Sequence, residues 1–329
     1  VVSVSLGSVL LPLTLGAALA LAMYPQMAPQ GVGRLPFVLF VAVALSITAF
    51  PVLARILADR NLQTTHLGAF VMACAAANDA IAWCLLTVVV ALCTTATPLS
   101  ALTAAGLTVA LAIALTLLRP ALRKLLQRAG RSSDDLVLVM LFAGLCLTAY
   151  ATDQIGIHPA FGAFLFGAVT PRGITPIERS AARIRAVFVP VLLPLYFANT
   201  GLHTNIVDLP SGQWGWALAI LAVAVIGKWG GAAGAARLTG ADWRWAATIG
   251  TLMNCRGVTE LVVLGIGRQI GVITPQMFTI LVLMAVVTTA ATTPLLKRLS
   301  AGDPRMSPAP PPHEATHFDL AAPDERKAA

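Results

Sequence analysis

Charged residues are scarce in this sequence, since Asp, Glu, Lys and Arg together make up only 11% of its 329 residues. A soluble globular domain contains about 25% charged residues. Hydrophobic residues reach 57%, and the mean hydropathy is +0.82. A soluble protein with a large core is therefore excluded, and we expect a polytopic membrane protein embedded in a lipid bilayer.

The sequence also lacks the patterns that bind cofactors and metals. It has no Gly-rich phosphate loop, and none of its five cysteines forms a C-x-x-C pair, which argues against zinc sites and disulfides. We treat these cysteines as small core residues and expect no cofactor. They are Cys74, Cys84, Cys93, Cys146 and Cys255.

Ten apolar segments have the length of a membrane-spanning helix or come close to it. They lie near residues 4–24, 36–57, 67–92, 99–118, 136–152, 157–171, 186–201, 214–236, 245–267 and 275–295. Their high content of Ala, Leu and Val, with many glycines, is typical of closely packed membrane helices. We expect an all-α transmembrane domain over residues 1–300. Residues 301–329, rich in Pro, Ala and charge, are predicted to form a disordered cytoplasmic tail.

Basic residues are distributed unevenly between the two sides of the predicted membrane domain. The side that holds Val1 has 18 Lys and Arg residues in its loops and tail, whereas the opposite side has only Arg34 and Arg268. Because Lys and Arg gather in cytoplasmic loops, we expect a multi-pass protein of the cell membrane with both ends in the cytoplasm. The same rule explains the formal charge of +8 without nucleic-acid binding.

Two polar residues, Asn78 and Asp79, stand near the middle of an otherwise apolar segment. A carboxylate at the bilayer centre costs about 2.5–3.5 kcal/mol, and such residues usually mark ion pathways. Burial and a nearby cation act in opposite directions on the proton affinity of a carboxylate, so H⁺ and an alkali cation can compete for Asp79. A structural pair with Lys228 or Arg256 is the alternative. Asn78 can offer its amide oxygen to a cation or bond to a neighbouring helix.

Lys228, Arg256 and Glu260 also lie inside apolar segments. Lys228 can pair with Asp79 or extend toward the membrane interface. The i, i+4 spacing of Arg256 and Glu260 favours an internal ion pair that stabilises its helix over direct ion handling.

Four segments contain features that shorten or interrupt a helix. Pro51 removes a helical donor in segment 36–57, just after Ser46 and Thr48. Oxygen atoms freed at such a break are suitable ligands for Na⁺ or K⁺, although both hydroxyls can instead bond within their own helix. The other three are the short segment 157–171, segment 186–201 with Pro190 and Pro194, and segment 245–267 around Arg256. A pair of interrupted helices in two halves of a chain points to a transporter site.

Five strings closely resemble the monovalent cation:proton antiporter superfamily, in the branch of the bacterial Kef-type transporters and the plant CHX exchangers. They are SITAFPVLARIL, AAANDAIAW, GIHPAFGAFLFG, LPLYFANTGL and MNCRGVTELVVLGIG, and the resemblance runs from about residue 4 to residue 298. It implies an inverted-repeat fold in which two interrupted helices, here 36–57 and 245–267, cross in a core domain. That core moves against a dimerisation domain, so a homodimer is expected for the full-length protein.

The resemblance also assigns roles to residues of this sequence. It implies exchange of H⁺ for Na⁺ or K⁺ by alternating access, with Asp79 as the ion-binding acid. Members usually have more helices, so we expect the first few to be missing here, and the short tail lacks the regulatory domain of Kef-type members. The remaining site residues carried over are Asn78, Ser46 and Thr48 as ligands or orienting groups, Lys228 as the membrane lysine, and Arg256 and Glu260 at the second crossing helix.

Other functions stay open at this point. The same polar core suits a channel-like or gated K⁺ efflux pathway, and the chain can also be a non-transporting fragment. An intramembrane aspartyl protease needs two membrane aspartates, and only Asp79 qualifies, so we expect a secondary transporter and not an enzyme. Oxygen ligands suit both Na⁺ and K⁺, so the sequence does not choose between them.

Overall fold

The computed structural model describes residues 1–94, 98–156 and 158–300, and its regular structure within these ranges is helical. The predicted disordered tail, 301–329, lies outside the described residues. The α-helices are α1 (Val2–Met27), α2 (Arg34–Ser46), α3 (Phe50–Asp59), α4 (His66–Thr94), α5 (Pro98–Ser132), α6 (Asp134–Ile155), α7 (Pro159–Val169), α8 (Thr175–Leu202), α9 (Trp214–Leu238), α10 (Trp243–Met253), α11 (Val258–Gln269) and α12 (Pro275–Ser300). Each of the ten predicted segments coincides with one of these helices or with a consecutive pair.

Seven stretches of the described residues are long and apolar enough to cross a membrane, and the bent pair α10–α11 makes an eighth. The pair α2–α3 counts as one of the seven. Helix α7 has only 11 residues, and α5 is not among these stretches. The prediction of an all-α polytopic membrane protein is confirmed.

The helices form two groups. Helices α1 to α4 pack with α9 to α12, and this larger group holds the two largest clusters of buried apolar side chains. Helices α5 to α8 pack mainly on one another around a smaller cluster that includes Leu126, Val137 and Phe166. All residues predicted for the site lie in the larger group.

Both interruptions predicted to cross are present in the larger group. The first separates α2 from α3 at residues 47–49. Pro51 lies in the first turn of α3, where the N–H that proline lacks would have no acceptor within the helix. The second separates α10 from α11 at residues 254–257. The two breaks touch, because the N–H of Ala49 donates to the carbonyl oxygen of Cys255 at 3.1 Å.

Segment 186–201 is not interrupted, so this part of the prediction is wrong. Helix α8 continues through both Pro190 and Pro194. Proline is tolerated inside membrane helices because neighbouring groups and small local adjustments satisfy the carbonyls that it frees. A proline alone therefore does not locate a break.

Glycines bring α1 and α9 into backbone contact. A Cβ atom on Gly231 would lie 2.2 Å from the carbonyl oxygen of Gly7, and one on Gly227 would lie 2.8 Å from the Cα atom of Pro12. Only glycine fits such an approach. This contact fixes the position of Lys228, the residue after Gly227, against the break in the first crossing helix.

We expect Gly231→Val to force α1 and α9 apart and to destabilise the protein by about 1–3 kcal/mol, as overpacked sites do. The measurement is the midpoint of thermal unfolding in detergent. Gly234→Val is the matched control, because a Cβ atom at Gly234 of the same helix meets nothing within 4 Å. Equal midpoints for the two variants would contradict the close packing of α1 on α9.

Candidate functional site

Helix α4 brings Asp79 next to the first break. Its side chain is partly buried, and its Oδ1 atom is buried without a hydrogen-bond partner among the described residues. The backbone N–H of Phe50, the first residue of α3, interacts with the carboxylate, and Lys228 interacts with it electrostatically. The partial positive charge at a helix N-terminus favours an anion at this place. The carboxylate is thus held in a positive environment but retains an unused oxygen.

The amide of Asn78 points toward α1 and the first break. Its Nδ2 atom donates to Ser8 Oγ at 2.7 Å and to Thr48 Oγ1 at 3.4 Å. The helix–helix hydrogen bond that was one alternative for Asn78 is therefore present. Its Oδ1 atom is buried and finds no partner in the described part of the chain.

Ser8 is a site residue that the sequence reasoning missed. It is fully buried in α1, and its hydroxyl donates to the carbonyl oxygen of Ser5 at 2.9 Å. The only signal was a second serine three residues after Ser5 in an apolar segment, which is not unusual in membrane helices.

Lys228 is completely buried in α9, so it does not extend to the membrane interface. Its ammonium group donates to the carbonyl oxygen of Ser46, the last residue of α2. Within the described ranges it makes no ion pair with Asp79, which was one alternative for Lys228, but it still interacts with that carboxylate electrostatically. Backbone carbonyls at a helix end have no partner within the helix, and Lys228 supplies one.

Arg256 performs the same task from the second break. Its guanidinium group donates to the carbonyl oxygens of Ala44 at 3.2 Å and Leu45 at 2.7 Å, and to Glu260 Oε1 at 2.8 Å. Both charged side chains are completely buried, and the predicted Arg256–Glu260 pair is present. Three successive carbonyls at the end of α2 thus accept hydrogen bonds from buried cations, where the helix dipole is negative.

Helix α12 holds the second break in place. The N–H of Arg256 donates to Thr289 Oγ1 at 2.8 Å, and the Thr289 hydroxyl donates to the carbonyl oxygen of Arg256 at 2.8 Å. Thr289 was not singled out from the sequence, because one threonine among several in α12 carries no distinguishing pattern. It fixes the backbone from which the Arg256 side chain reaches α2.

The two hydroxyls at the first break behave differently. Ser46 Oγ donates to the carbonyl oxygen of Val43 at 2.8 Å, which is the bond within its own helix that was the alternative to ion binding. Thr48 Oγ1 donates across the crossing to the carbonyl oxygen of Met253 at 3.4 Å. Ser46 therefore contributes its backbone carbonyl to the site, whereas Thr48 contributes its hydroxyl.

The chemistry of this cluster is that of an oxygen site for a monovalent ion. Asn78 and Asp79, neighbours in the chain, each keep one buried oxygen that has no hydrogen-bond partner in the described ranges. Among the residues that the structure describes, no three His, Cys, Asp or Glu side chains gather as a metal site. One carboxylate and neutral oxygens can hold either a proton or an alkali cation.

His158 and His203 lie elsewhere, in a cavity of about 400 Å³ between α8 and α11 that Arg268 also lines. Arg268 is one of the two basic residues predicted to lie on the side of the membrane opposite Val1. His158 accepts a hydrogen bond from the N–H of Ala160 at 3.3 Å and so caps the start of α7. Burial lowers the pKa of His158, against the opposing effects of Gln269 and Asp153.

Comparison with known proteins places the chain among transporters. A family model described as "Sodium/hydrogen exchanger, transmembrane" matches residues 1–299. The protein "Na(+)/H(+) antiporter NhaS4" of Synechocystis sp. is 36% identical over 298 residues, which cover 89% of this chain and 72% of that protein. "Cation/H(+) antiporter 19" of Arabidopsis thaliana is 36% identical over 301 residues, or 89% of this chain and 37% of that protein.

A fungal protein is similar to the same extent. "K(+)/H(+) antiporter 1" of Saccharomyces cerevisiae is 36% identical over 267 residues, which cover 79% of this chain and 30% of that protein. The chain thus spans most of the cyanobacterial relative but only about a third of the plant and yeast relatives.

We expect Glu260→Gln to destabilise the protein by about 3–5 kcal/mol, because it leaves the buried Arg256 charge without its counter-ion. Unfolding in detergent, by heat or by titration with SDS, measures this loss. The control is Asp59→Asn, which breaks an exposed pair of the same i, i+4 spacing between Arg55 and Asp59. An exposed pair contributes about 0–1 kcal/mol, so similar losses in both variants would contradict a structural role for Glu260.

Proposed function

Since this chain belongs to the sodium/hydrogen exchanger family of transmembrane proteins, we propose that it exchanges H⁺ for a monovalent cation by alternating access, with Asp79 binding either ion. The family resemblance read from the sequence is confirmed. The chain is an ion transporter of multi-pass membrane type and not an enzyme, and the relatives are named as cation/H⁺ antiporters.

One observation carries the proposed role of Asp79. Of the two acids in the crossing region, Glu260 forms an ion pair with Arg256, whereas Asp79 forms none with any described residue. Each acid keeps one buried oxygen without a hydrogen bond in the described ranges, but only Asp79 also lacks a bound counter-ion. A buried carboxylate without a counter-ion is costly, and binding of a proton or a cation relieves that cost. Glu260 is therefore a structural acid in this proposal, and Asp79 is the exchangeable site.

Competition at one carboxylate produces exchange. An ionised Asp79 is expensive to move through the membrane interior, and a bound proton or alkali cation neutralises it equally well. If the site changes sides only in a neutralised state, outward movement with one ion is coupled to return with the other. Asn78 and Thr48 supply neutral oxygens or orientation, and the single titratable carboxylate favours one proton for one cation.

The surrounding charges keep the site intact when no ion is bound. Lys228 and Arg256 are held by the carbonyls of α2, and neither needs Asp79 as a direct partner. Asp79 can therefore lose its ion without releasing either cation from its backbone acceptors. Lys228 in addition adjusts the proton affinity of Asp79 through space.

Na⁺ and K⁺ are both retained as substrates, because the relatives are named for Na⁺, for K⁺ or for cations in general.

We also propose that residues 1–300 form the transmembrane domain, that the protein lies in the cell membrane with both ends of the chain in the cytoplasm, and that the full-length protein is a homodimer. Exposed apolar side chains along α8 support contact with lipid or with a second copy. They include Val187, Val189, Val191, Leu192 and Leu195.

We expect Asp79→Asn to reduce exchange in proteoliposomes at least tenfold, because an amide cannot exchange a proton for a cation at this site. The measurement is dequenching of a pH-sensitive dye in vesicles after addition of NaCl or KCl, each tested separately. Asp59→Asn, which changes an exposed acid of α3, serves as the control. Normal exchange by Asp79→Asn would refute the mechanism, and poorly saturating cation flux without proton movement would favour a channel.

One-for-one exchange predicts that transport moves no net charge. Vesicles that carry the protein and a voltage-sensitive dye should show no change of membrane potential when a cation gradient is imposed at constant pH. A potential that develops only with the active protein would refute the electroneutral version. It would point to a second titrating group, for which Lys228 is the nearest candidate.

A further inference from the structure

A hydrogen-bond chain of fixed direction runs from α1 into the ion site. The Ser8 hydroxyl donates its one proton to the carbonyl oxygen of Ser5 at 2.9 Å. Since a hydroxyl has a single proton, Ser8 Oγ can only accept from Asn78, which lies 2.7 Å away. While the Ser8 hydroxyl donates to Ser5, Asn78 presents its NH₂ group, and not its oxygen, to Ser8.

Thr48 imposes the same orientation from the other side. Its hydroxyl donates to the carbonyl oxygen of Met253 at 3.4 Å and accepts from Asn78 Nδ2 at 3.4 Å. A flipped amide would instead require both hydroxyls to rotate away from these carbonyl oxygens in order to donate to Asn78 Oδ1. The carbonyl groups at both ends of this hydrogen-bond chain thus favour one orientation, which leaves Asn78 Oδ1 buried and without a partner among the residues that the structure describes.

We propose that Ser8 is a positioning residue for cation binding, which orients the Asn78 amide so that its oxygen is available to a dehydrated Na⁺ or K⁺ beside Asp79. This inference rests on the proposed function, since it requires that the site takes a cation. An amide oxygen coordinates alkali cations but does not bind a proton near neutral pH. Ser8 therefore acts on the affinity for the cation and leaves the affinity for the proton almost unchanged.

The matched control for Ser8 is Ser5, on the same helix. Ser5 Oγ donates to the carbonyl oxygen of Cys74 at 3.4 Å, so it also joins α1 to α4 through a buried hydroxyl. It does not touch the Asn78 side chain, and its backbone carbonyl still accepts from Ser8 after substitution by alanine. A purely structural role for these hydroxyls predicts similar effects of Ser8→Ala and Ser5→Ala.

The experiment measures cation binding separately from transport. The unfolding midpoint of the purified protein in detergent is followed with increasing NaCl or KCl, with choline chloride holding the ionic strength constant. Loss of one neutral hydrogen bond corresponds to about a 3–10-fold higher dissociation constant for the cation in Ser8→Ala. Ser5→Ala should leave this constant unchanged, and Ser8→Ala should add nothing in an Asn78→Ala background.

Transport supplies the second measurement. In proteoliposomes, Ser8→Ala should raise the cation concentration for half-maximal exchange by the same factor, with a maximal rate within about twofold of the unaltered protein. An unchanged dissociation constant in Ser8→Ala, or an equal change in Ser5→Ala, would overturn the inference. If Ser8→Ala does not fold, Ser8→Cys keeps a similar volume but replaces the hydroxyl with a weakly hydrogen-bonding thiol, and unchanged cation affinity in that variant would overturn the inference.

The two proposals fail in different ways. Exchange by the unaltered protein with no effect of Ser8→Ala on cation affinity refutes the role of Ser8 alone. Cation binding that Ser8→Ala weakens, in a protein that performs no exchange, refutes the proposed transport and supports the role of Ser8. The absence of any stabilisation by Na⁺ or K⁺ in the unaltered protein refutes the cation site and, with it, the role of Ser8.

Discussion

The carbonyl groups at the end of α2 set the requirement that the rest of the site satisfies. A helix that stops inside the membrane leaves its last carbonyls without partners, and the bilayer offers no water to supply them. Here the ammonium group of Lys228 and the guanidinium group of Arg256 bind three successive carbonyls, those of Ala44, Leu45 and Ser46. Both cations are completely buried, and this is possible because the dipole of α2 is negative at that end.

Four side chains around the two breaks have charges that balance. When all four are ionised, Lys228 and Arg256 offset Asp79 and Glu260. Binding of either a proton or an alkali cation adds one positive charge, so the two loaded states of the proposed exchanger have the same net charge. A mechanism that moves both states by the same path benefits from this equality, because the membrane interior penalises any difference in charge between them.

The sequence predicted those features that depend on residue type along one helix, and it missed those that depend on backbone acceptors. The break before Pro51, the isolated Asp79 and the Arg256–Glu260 pair were all accessible from spacing and polarity. The partner of Lys228 could not be predicted in this way, because every residue has a backbone carbonyl. The sequence does not show which carbonyl lacks a hydrogen-bond donor. The break predicted from Pro190 and Pro194 was wrong for a related reason. Whether a helix continues past a proline depends on new partners for its backbone groups, and α8 does continue.

The residues joined by these hydrogen bonds lie far apart along the chain, and this separation affects how the protein folds during its synthesis. Ser46 and Lys228 are 182 residues apart, and Leu45 and Arg256 are 211 residues apart. At about 5–20 residues per second, α2 waits roughly 10–40 s after its own synthesis before Lys228 is made. During that time its last carbonyls need temporary partners, such as water, lipid headgroups or the insertion machinery. The first half of the transporter is thus exposed to misassembly and degradation until α9 has been synthesised.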